Sequence, residues 1–183
     1  MQENKLNDLR LCFSTQSSSN NDDDDDGENN NNELLKSQII EETSRQLMYV
    51  RGYDKENRAI LIKQDRTAPV IDEKACFNTH IYMLERAIAC TESMSNGAQH
   101  QIVVVLNYNN YIRANAVPMN LMKEYLIAIE SCYPDNLAYL MLVDVPFYFK
   151  VLWYFLKPFL HPNNADKIKF VTGEVSLCCV SVS

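Results

Sequence analysis

The side chains that could act as nucleophiles, bases or metal ligands in this chain are few and widely spaced. His80, His100 and His161 form no HExxH pair, which excludes the zinc-protease arrangement. The six cysteines, which form no CxxC pair, are Cys12, Cys76, Cys90, Cys132, Cys178 and Cys179. Zinc sites and small disulfide frameworks usually show such close spacing. Cys90 and Cys132 lie in apolar helical segments, so we interpret them as buried, unreactive thiols.

The four glycines also argue against familiar catalytic motifs. Gly27, Gly52, Gly97 and Gly173 are far apart, whereas dinucleotide-binding and P-loop motifs need glycines a few residues apart so that the backbone can approach a phosphate. The GxSxG nucleophile elbow likewise needs two glycines around one serine. We therefore predict that the protein is not an enzyme, with no catalytic residue, no metal site and no cofactor.

The negative charge of the chain is concentrated near its N-terminus. The net charge is -7, and residues 1–36 contribute three Lys/Arg and nine Asp/Glu. Residues 17–32, SSSNNDDDDDGENNNN, contain no apolar side chain whose burial could offset the entropy lost on ordering. We predict a disordered acidic tail over residues 1–36. The remainder is nearly neutral, which argues against nucleic acid as a partner.

After the tail, the hydrophobic pattern predicts strands that alternate with helices. Two uninterrupted apolar runs, IVVVL and AYLMLVD, are typical of strands covered on both faces. The predicted helices cover residues 34–48, 72–92, 118–129 and 146–158, and the predicted strands cover residues 49–51, 58–63, 102–106, 138–144 and 168–171. This order predicts an α/β fold with a mixed, largely parallel sheet and helices packed on it.

The predicted helix over residues 146–158 is apolar nearly all round. On a helical projection Phe149, Trp153 and Leu156 share one face, and only Lys150 and Lys157 interrupt the apolar surface. The run is shorter than the about 20 residues of a membrane span and ends in a proline. A helix of this kind is either buried on both sides or covers something apolar. From the residues alone, a core helix and a lid over an apolar ligand both remain open.

Several spaced motifs occur in the order found in one lipid-binding family. They are GYDKENRAILI at 52–62, YPDN at 133–136, LVDVPF at 142–147, KPFLHP at 157–162 and DKIKF at 166–170. With these motifs the chain resembles the CRAL-TRIO family of phosphatidylinositol and phosphatidylcholine transfer proteins and their relatives. The resemblance implies a CRAL-TRIO-like domain over residues 37–183, incomplete at its C-terminal part. It also implies a concave sheet that encloses an apolar pocket for one lipid.

The resemblance further implies which residues would contact the lipid. The helix over residues 147–158 would be the gate, and its residues facing the lipid tails would be Phe149, Trp153, Leu156 and Phe159. The head group would bind Asp135, Asn164 and Lys167. Lys167 would neutralise a phosphate, and Asp135 would accept hydrogen bonds from inositol hydroxyls. In the structural alternative, Asp135 closes a turn and Lys167 is solvated.

The expected function is binding and intermembrane transfer or sensing of a phospholipid or another small hydrophobic molecule. The only apolar run near the N-terminus is too short for a signal peptide, so we expect a cytoplasmic protein with transient membrane contact. The expected partners are the lipid, a membrane surface and, through the acidic tail, a protein. Two alternatives remain open, namely a protein-interaction module on the same fold and a truncated form without function.

Overall fold

The computed structural model describes residues 26–147, 149–159 and 162–172. The strands are β1 (Gln46–Tyr53), β2 (Ala59–Arg66), β3 (Ile102–Asn107), β4 (Leu137–Val143) and β5 (Ile168–Val171). The helices are α1 (Asp26–Arg45), α2 (Glu73–Ser95), α3 (Met119–Cys132), α4 (Phe149–Leu156) and α5 (Pro162–Asp166), with 3-10 turns at Arg113–Asn115 and Lys157–Phe159.

The five strands form one sheet in the order β1-β2-β3-β4-β5. β1 is antiparallel to β2, and every later pair is parallel. Because parallel crossovers are right-handed and the strands lie in sequence order, the connections through α2, α3 and α4 lie on the same side of the sheet. The predicted fold class, a mixed and largely parallel sheet with helices packed on it, is confirmed.

The hairpin between β1 and β2 is held by one carboxylate. Asp54 accepts hydrogen bonds from the backbone N–H groups of Glu56 and Arg58, each at 2.9 Å, and from Nε of Arg58 at 2.6 Å. Asn57 adopts a left-handed conformation with φ 61°, which the tight turn requires. The GYDKEN segment therefore forms the predicted turn.

Helix α2 follows the predicted pattern of one buried stripe. Asp72 caps its N-terminus by accepting a hydrogen bond from the backbone N–H of Ala75 at 3.0 Å. Ile81, Leu84 and Ile88 lie in the core. The helix continues to Ser95, beyond the predicted end at residue 92, and stops where Asn96 takes a left-handed conformation.

Both faces of the central strands are buried, as their apolar runs predict. The helix-covered face packs a cluster that includes Leu61, Ile81 and Ile102. The opposite face carries a second cluster, whose buried members are Ile60, Ile62, Val103, Val105, Tyr139 and Val143. Side chains of β3 therefore contribute to both clusters, which fits the absence of any polar residue between Ile102 and Leu106.

Helix α1 begins inside the segment that the sequence predicts to be a disordered tail. Residues 26–36 are helical, whereas residues 1–25 lie outside the described residues. Later in the helix, Ile39 and Glu42 are buried, and the Glu42 carboxylate forms an ion pair with Arg66 of β2. Tertiary packing of the C-terminal half thus supports a helix whose N-terminal composition alone predicts disorder.

Candidate ligand-binding pocket

An apolar pocket lies between the sheet and helices α2, α3 and α4. Its volume is about 180 Å³. The floor is built by alternate residues of the parallel strands, which are Leu61, Ile102, Val104, Leu106, Leu140 and Leu142. The walls include Leu84 of α2, Leu126 of α3 and Phe149 of α4. Since a cavity of about 150 Å³ holds one benzene molecule, the pocket in this conformation admits a small apolar group.

Helix α4 contributes its inner face to this pocket. Phe149 is buried, and its ring centroid lies 5.3 Å from that of Tyr108. Trp153 is half-buried in the pocket wall and meets Phe170 edge to face, with centroids 6.0 Å apart. These two of the four predicted gate residues therefore lie together, one helical turn apart. The helix covers a void and is not packed solidly against the sheet.

The other two predicted gate residues are placed differently. Phe159 lies in the 3-10 turn after α4 and lines none of the described pockets. Its ring is partly exposed, and the ammonium of Lys123 lies 5.1 Å from the ring centroid. Leu156 ends α4, and its side chain is outside the described part of the structure. Lipid contact by either residue stays a prediction.

The outer face of α4 carries an exposed apolar surface that the sequence analysis did not single out. Val151, Tyr154 and Phe155 are 58%, 76% and 64% exposed, and Phe147 just before the helix is 86% exposed. We call these four residues, three of which are aromatic, the outer aromatic surface. Val151 and Phe155 follow Phe149 and Trp153 by two positions, about 200° around a helix, and this offset is the sequence signal for a separate outer face.

The predicted head-group residues lie near the amino ends of β4 and β5. Asp135 is exposed in the turn before β4, with φ 62°, and its carbonyl oxygen accepts a hydrogen bond from Nε2 of Gln101 at 3.0 Å. The carbonyl oxygen of Lys167 accepts one from the backbone N–H of Leu140 at 3.0 Å. The side chain of Asn164 lies outside the described residues. The left-handed backbone of Asp135 agrees with the turn-closing alternative.

A second, more polar pocket of about 460 Å³ lies at the carboxyl ends of β2 and β3. Its polar lining includes Asp65, Arg113 and Asn115. It shares six residues with the apolar pocket, which are Lys63, Leu106, Tyr108, Val117, Met122 and Phe149. The two pockets therefore adjoin, with Phe149 and Lys63 at their junction. The carboxyl end of parallel strands is a common ligand site in α/β sheets.

A histidine orients Lys63 at this junction. Nδ1 of His80 lies 2.7 Å from the carbonyl oxygen of Cys76, which can only accept, so Nδ1 carries the proton. Nε2 then accepts a hydrogen bond from Nζ of Lys63 at 2.9 Å. Burial lowers the pKa of Lys63 from 10.5 to about 8 and holds the pKa of His80 well below its usual value. The histidine is therefore neutral at neutral pH.

Sequence reasoning missed Lys63 and His80 as pocket residues. The signal was present in β2, because the strand alternation places Lys63 on the same face as Leu61, toward the helices. A lysine at such a position enters the helix-covered interior instead of solvent. His80 carried no comparable signal, since a lone histidine on a helix is most often a structural residue.

The neighbouring thiol shows no sign of reactivity. Burial raises the pKa of Cys76 to about 12, so the nucleophilic thiolate is scarcely populated at neutral pH. Its Sγ lies 3.6 Å from a guanidinium nitrogen of Arg66, whose charge is already neutralised by Glu42.

Among the helices of the described residues, none combines the length and apolarity needed to cross a membrane.

Comparison with known proteins agrees with this architecture. The CRAL/TRIO domain model matches residues 43–177. A solved structure described as "Crystal structure of Sfh5" superimposes with a TM-score of 0.59 at 14% sequence identity, and the match covers 92% of this chain and 55% of that one. This chain thus spans about half the length of that protein. No curated protein matches the sequence significantly. Because the family model covers most of the sequence, including every motif that carried the resemblance, the chain belongs to the CRAL/TRIO domain family.

Proposed function

We propose that the protein binds one lipid in the pocket beneath α4 and transfers or presents it at membranes. The observation that carries this proposal is the void lined by Phe149 and Trp153 of α4, a helix that is apolar nearly all round. Family membership supports lipid binding as the general activity. Each methylene moved from water into such a pocket contributes about 0.8 kcal/mol, so a single acyl chain provides ample driving force.

Loading a lipid requires the pocket to enlarge. The apolar pocket of about 180 Å³ is smaller than the roughly 300–1,000 Å³ that ligand pockets usually have. Helix α4 is the element best placed to move, because it is short and lies between Pro146 and Pro158. Asp144, just before it, has a left-handed backbone with φ 51°. We propose that the gate opens about these flanking positions, as hinged lids do in other proteins.

The outer aromatic surface is the proposed membrane contact. An exposed cluster of large apolar side chains is unusual on a soluble domain and marks an interaction site. Aromatic side chains suit the boundary between head groups and acyl chains. Contact through Tyr154 and Phe155 would place α4 at the bilayer with its inner face toward the pocket. Such an arrangement would let a lipid move between the two apolar environments.

Replacing Lys167 by alanine is expected to reduce the preference for anionic lipids while leaving neutral lipids unaffected. The ammonium is the proposed neutraliser of a lipid phosphate, and loss of one charge contact at a partly solvated site costs about 0.2–1 kcal/mol. The measurement is equilibrium binding to phosphatidylinositol and phosphatidylcholine vesicles. Lys169→Ala is the matched control, since that ammonium lies 5.3 Å from the centroid of the Tyr139 ring, a member of the second cluster. An unchanged lipid preference in Lys167→Ala would remove it from the site.

Native mass spectrometry with lipid extraction tests the proposed function as a whole. The purified chain is expected to carry one lipid per molecule and to transfer it between vesicles. Persistent absence of bound lipid, together with no vesicle transfer, would instead favour a protein-interaction module. In that case the outer aromatic surface would be the surface that binds a protein.

A further inference from the structure

Lys63 has an unusual position in the cavity system. Among the described residues it is the only charged side chain that lines both the apolar and the polar pocket. It lies level with Leu106 in the parallel register of β2 and β3, near the carboxyl end of the pocket floor. A ligand that extends from one pocket into the other would therefore lie beside residues of this shared lining, of which Lys63 carries the charge.

The ammonium of Lys63 lacks a counter-ion. Within the described part of the chain, no carboxylate lies within ion-pair distance of Nζ. Its one hydrogen-bond partner is neutral His80, and a lysine ammonium has three N–H donors. Arg66 and Glu42 neutralise each other nearby. A cation that is half-buried and has no ion-pair partner is costly, so an anion delivered by a ligand would be favoured here.

Other charged and titratable groups around Lys63 do not supply that anion. On its own strand Asp65 is half-buried, and its carboxylate attracts the ammonium but forms no ion pair with it. From α2, Cys76 has a raised pKa, and from α3, burial raises the pKa of Tyr125. With a pKa of about 8, Lys63 itself is mostly protonated at neutral pH. Among the described residues, the Lys63 ammonium therefore faces the junction of the pockets without a direct ion-pair partner.

We propose that the ligand is an amphiphile with a single carboxylate, which binds the Lys63 ammonium at the pocket junction while its hydrocarbon chain lies on the apolar floor under α4. This inference rests on the proposed function and names the ligand class for the same pocket, but it places the anion at Lys63, near the carboxyl ends of the strands, instead of at Lys167. One lysine matches a monoanion, since Arg66 is already held by Glu42 and Arg113 lines only the polar pocket, away from the apolar floor. The small apolar pocket favours one chain over two.

The test compares three probes on the full chain. They are hexadecanoic acid, hexadecan-1-ol, which has the same chain without charge, and dioleoylphosphatidylglycerol, a two-chain lipid with a phosphodiester anion. Dissociation constants at pH 7 are expected to be about 10- to 100-fold lower for the acid than for the alcohol, because a hydrogen bond to a charged group contributes that much. Phosphatidylglycerol is expected to bind more weakly than the acid.

Two variants test whether the preference for the acid over the alcohol depends on the Lys63 side chain. Lys63→Met is expected to remove the acid preference and leave the affinity for hexadecan-1-ol unchanged. Lys123→Met, which removes a positive charge outside both pockets, is expected to change neither affinity. The comparison of acid with alcohol on the wild-type chain does not depend on how well any variant folds.

The possible failures are distinguishable. Equal affinity for acid and alcohol, or full acid affinity in folded Lys63→Met, would overturn the assignment of Lys63 while lipid binding itself would stand. Tighter binding of phosphatidylglycerol than of the acid would overturn the carboxylate class. If the wild-type chain bound none of the three probes, both this inference and the proposed function would fall.

Discussion

Replacing Arg66 by leucine is expected to lower the free energy of unfolding by about 3–5 kcal/mol. Arg66 and Glu42 form an ion pair between β2 and α1 in which both side chains are almost fully buried. Without the guanidinium, the buried carboxylate loses its nearest cation, and within the described residues its remaining ion-pair partner is Arg45, at 3.8 Å. The penalty therefore comes from leaving a charge unpaired in the interior. Urea denaturation followed by circular dichroism measures it.

Two controls separate the unpaired charge from the loss of packing. The double variant Glu42→Leu with Arg66→Leu removes both charges and is expected to regain most of the lost stability, because a buried pair is often replaceable by apolar residues. Glu41→Leu removes the exposed partner of Arg45, 2.5 Å away, and is expected to cost no more than about 1 kcal/mol. If Arg66→Leu were as mild as Glu41→Leu, the buried pair would not support the junction of α1 with the sheet.

Replacing Trp153 by aspartate is expected to reduce lipid loading by at least about tenfold while the fold is retained. The substitution places a carboxylate in the wall of the apolar pocket, and transfer of an unpaired polar group into such surroundings costs several kcal/mol. The fold is expected to survive because the side chain is only half-buried and α4 belongs to the connection that leads to β5, the edge strand of the sheet. Lipid per protein by mass spectrometry and the far-ultraviolet circular dichroism spectrum measure the two effects.

The neighbouring residue offers a matched control. Tyr154→Asp makes the same change on the outer face, where the side chain is 76% exposed. It is expected to leave loading intact and to slow transfer between vesicles, because it disturbs the proposed membrane contact only. Equal loss of helical signal and of ligand in Trp153→Asp would instead support a helix that belongs to an ordinary core.

The sequence predicted most of the sheet because its strands carry strong local patterns. The runs at 102–106 and 168–171 correspond closely to β3 and β5, and the turn at Asp54 follows from its composition. By contrast, the start of α1 depends on the burial of Glu42 against Arg66, which are 24 residues apart. No local pattern reports such a contact. The sequence analysis did not predict helix α5, because a short polar segment such as PNNAD is typical of a loop.

The candidate site was predictable only in part. Periodicity placed Phe149 and Trp153 on one face, and both line the pocket. Phe159 would share that face only if the helix continued, but Pro158 lacks the backbone N–H that an α-helix needs, and the chain turns into a 3-10 segment from Lys157. The pairing of Lys63 with His80 joins a strand to a helix across 17 residues, so only the folded chain reveals it.

The ring of Phe149 lines both pockets, so its position affects how long a ligand the pockets can hold. Aromatic side chains occupy discrete staggered positions at χ1, so a change of rotamer would move the ring as a unit and would change how far it acts as a partition between the two volumes. A short ligand would fit in one pocket with the ring between the two volumes, whereas a long ligand would need the ring to move aside. Substitution by alanine at this position would join the compartments permanently and shift the tolerated chain length upward.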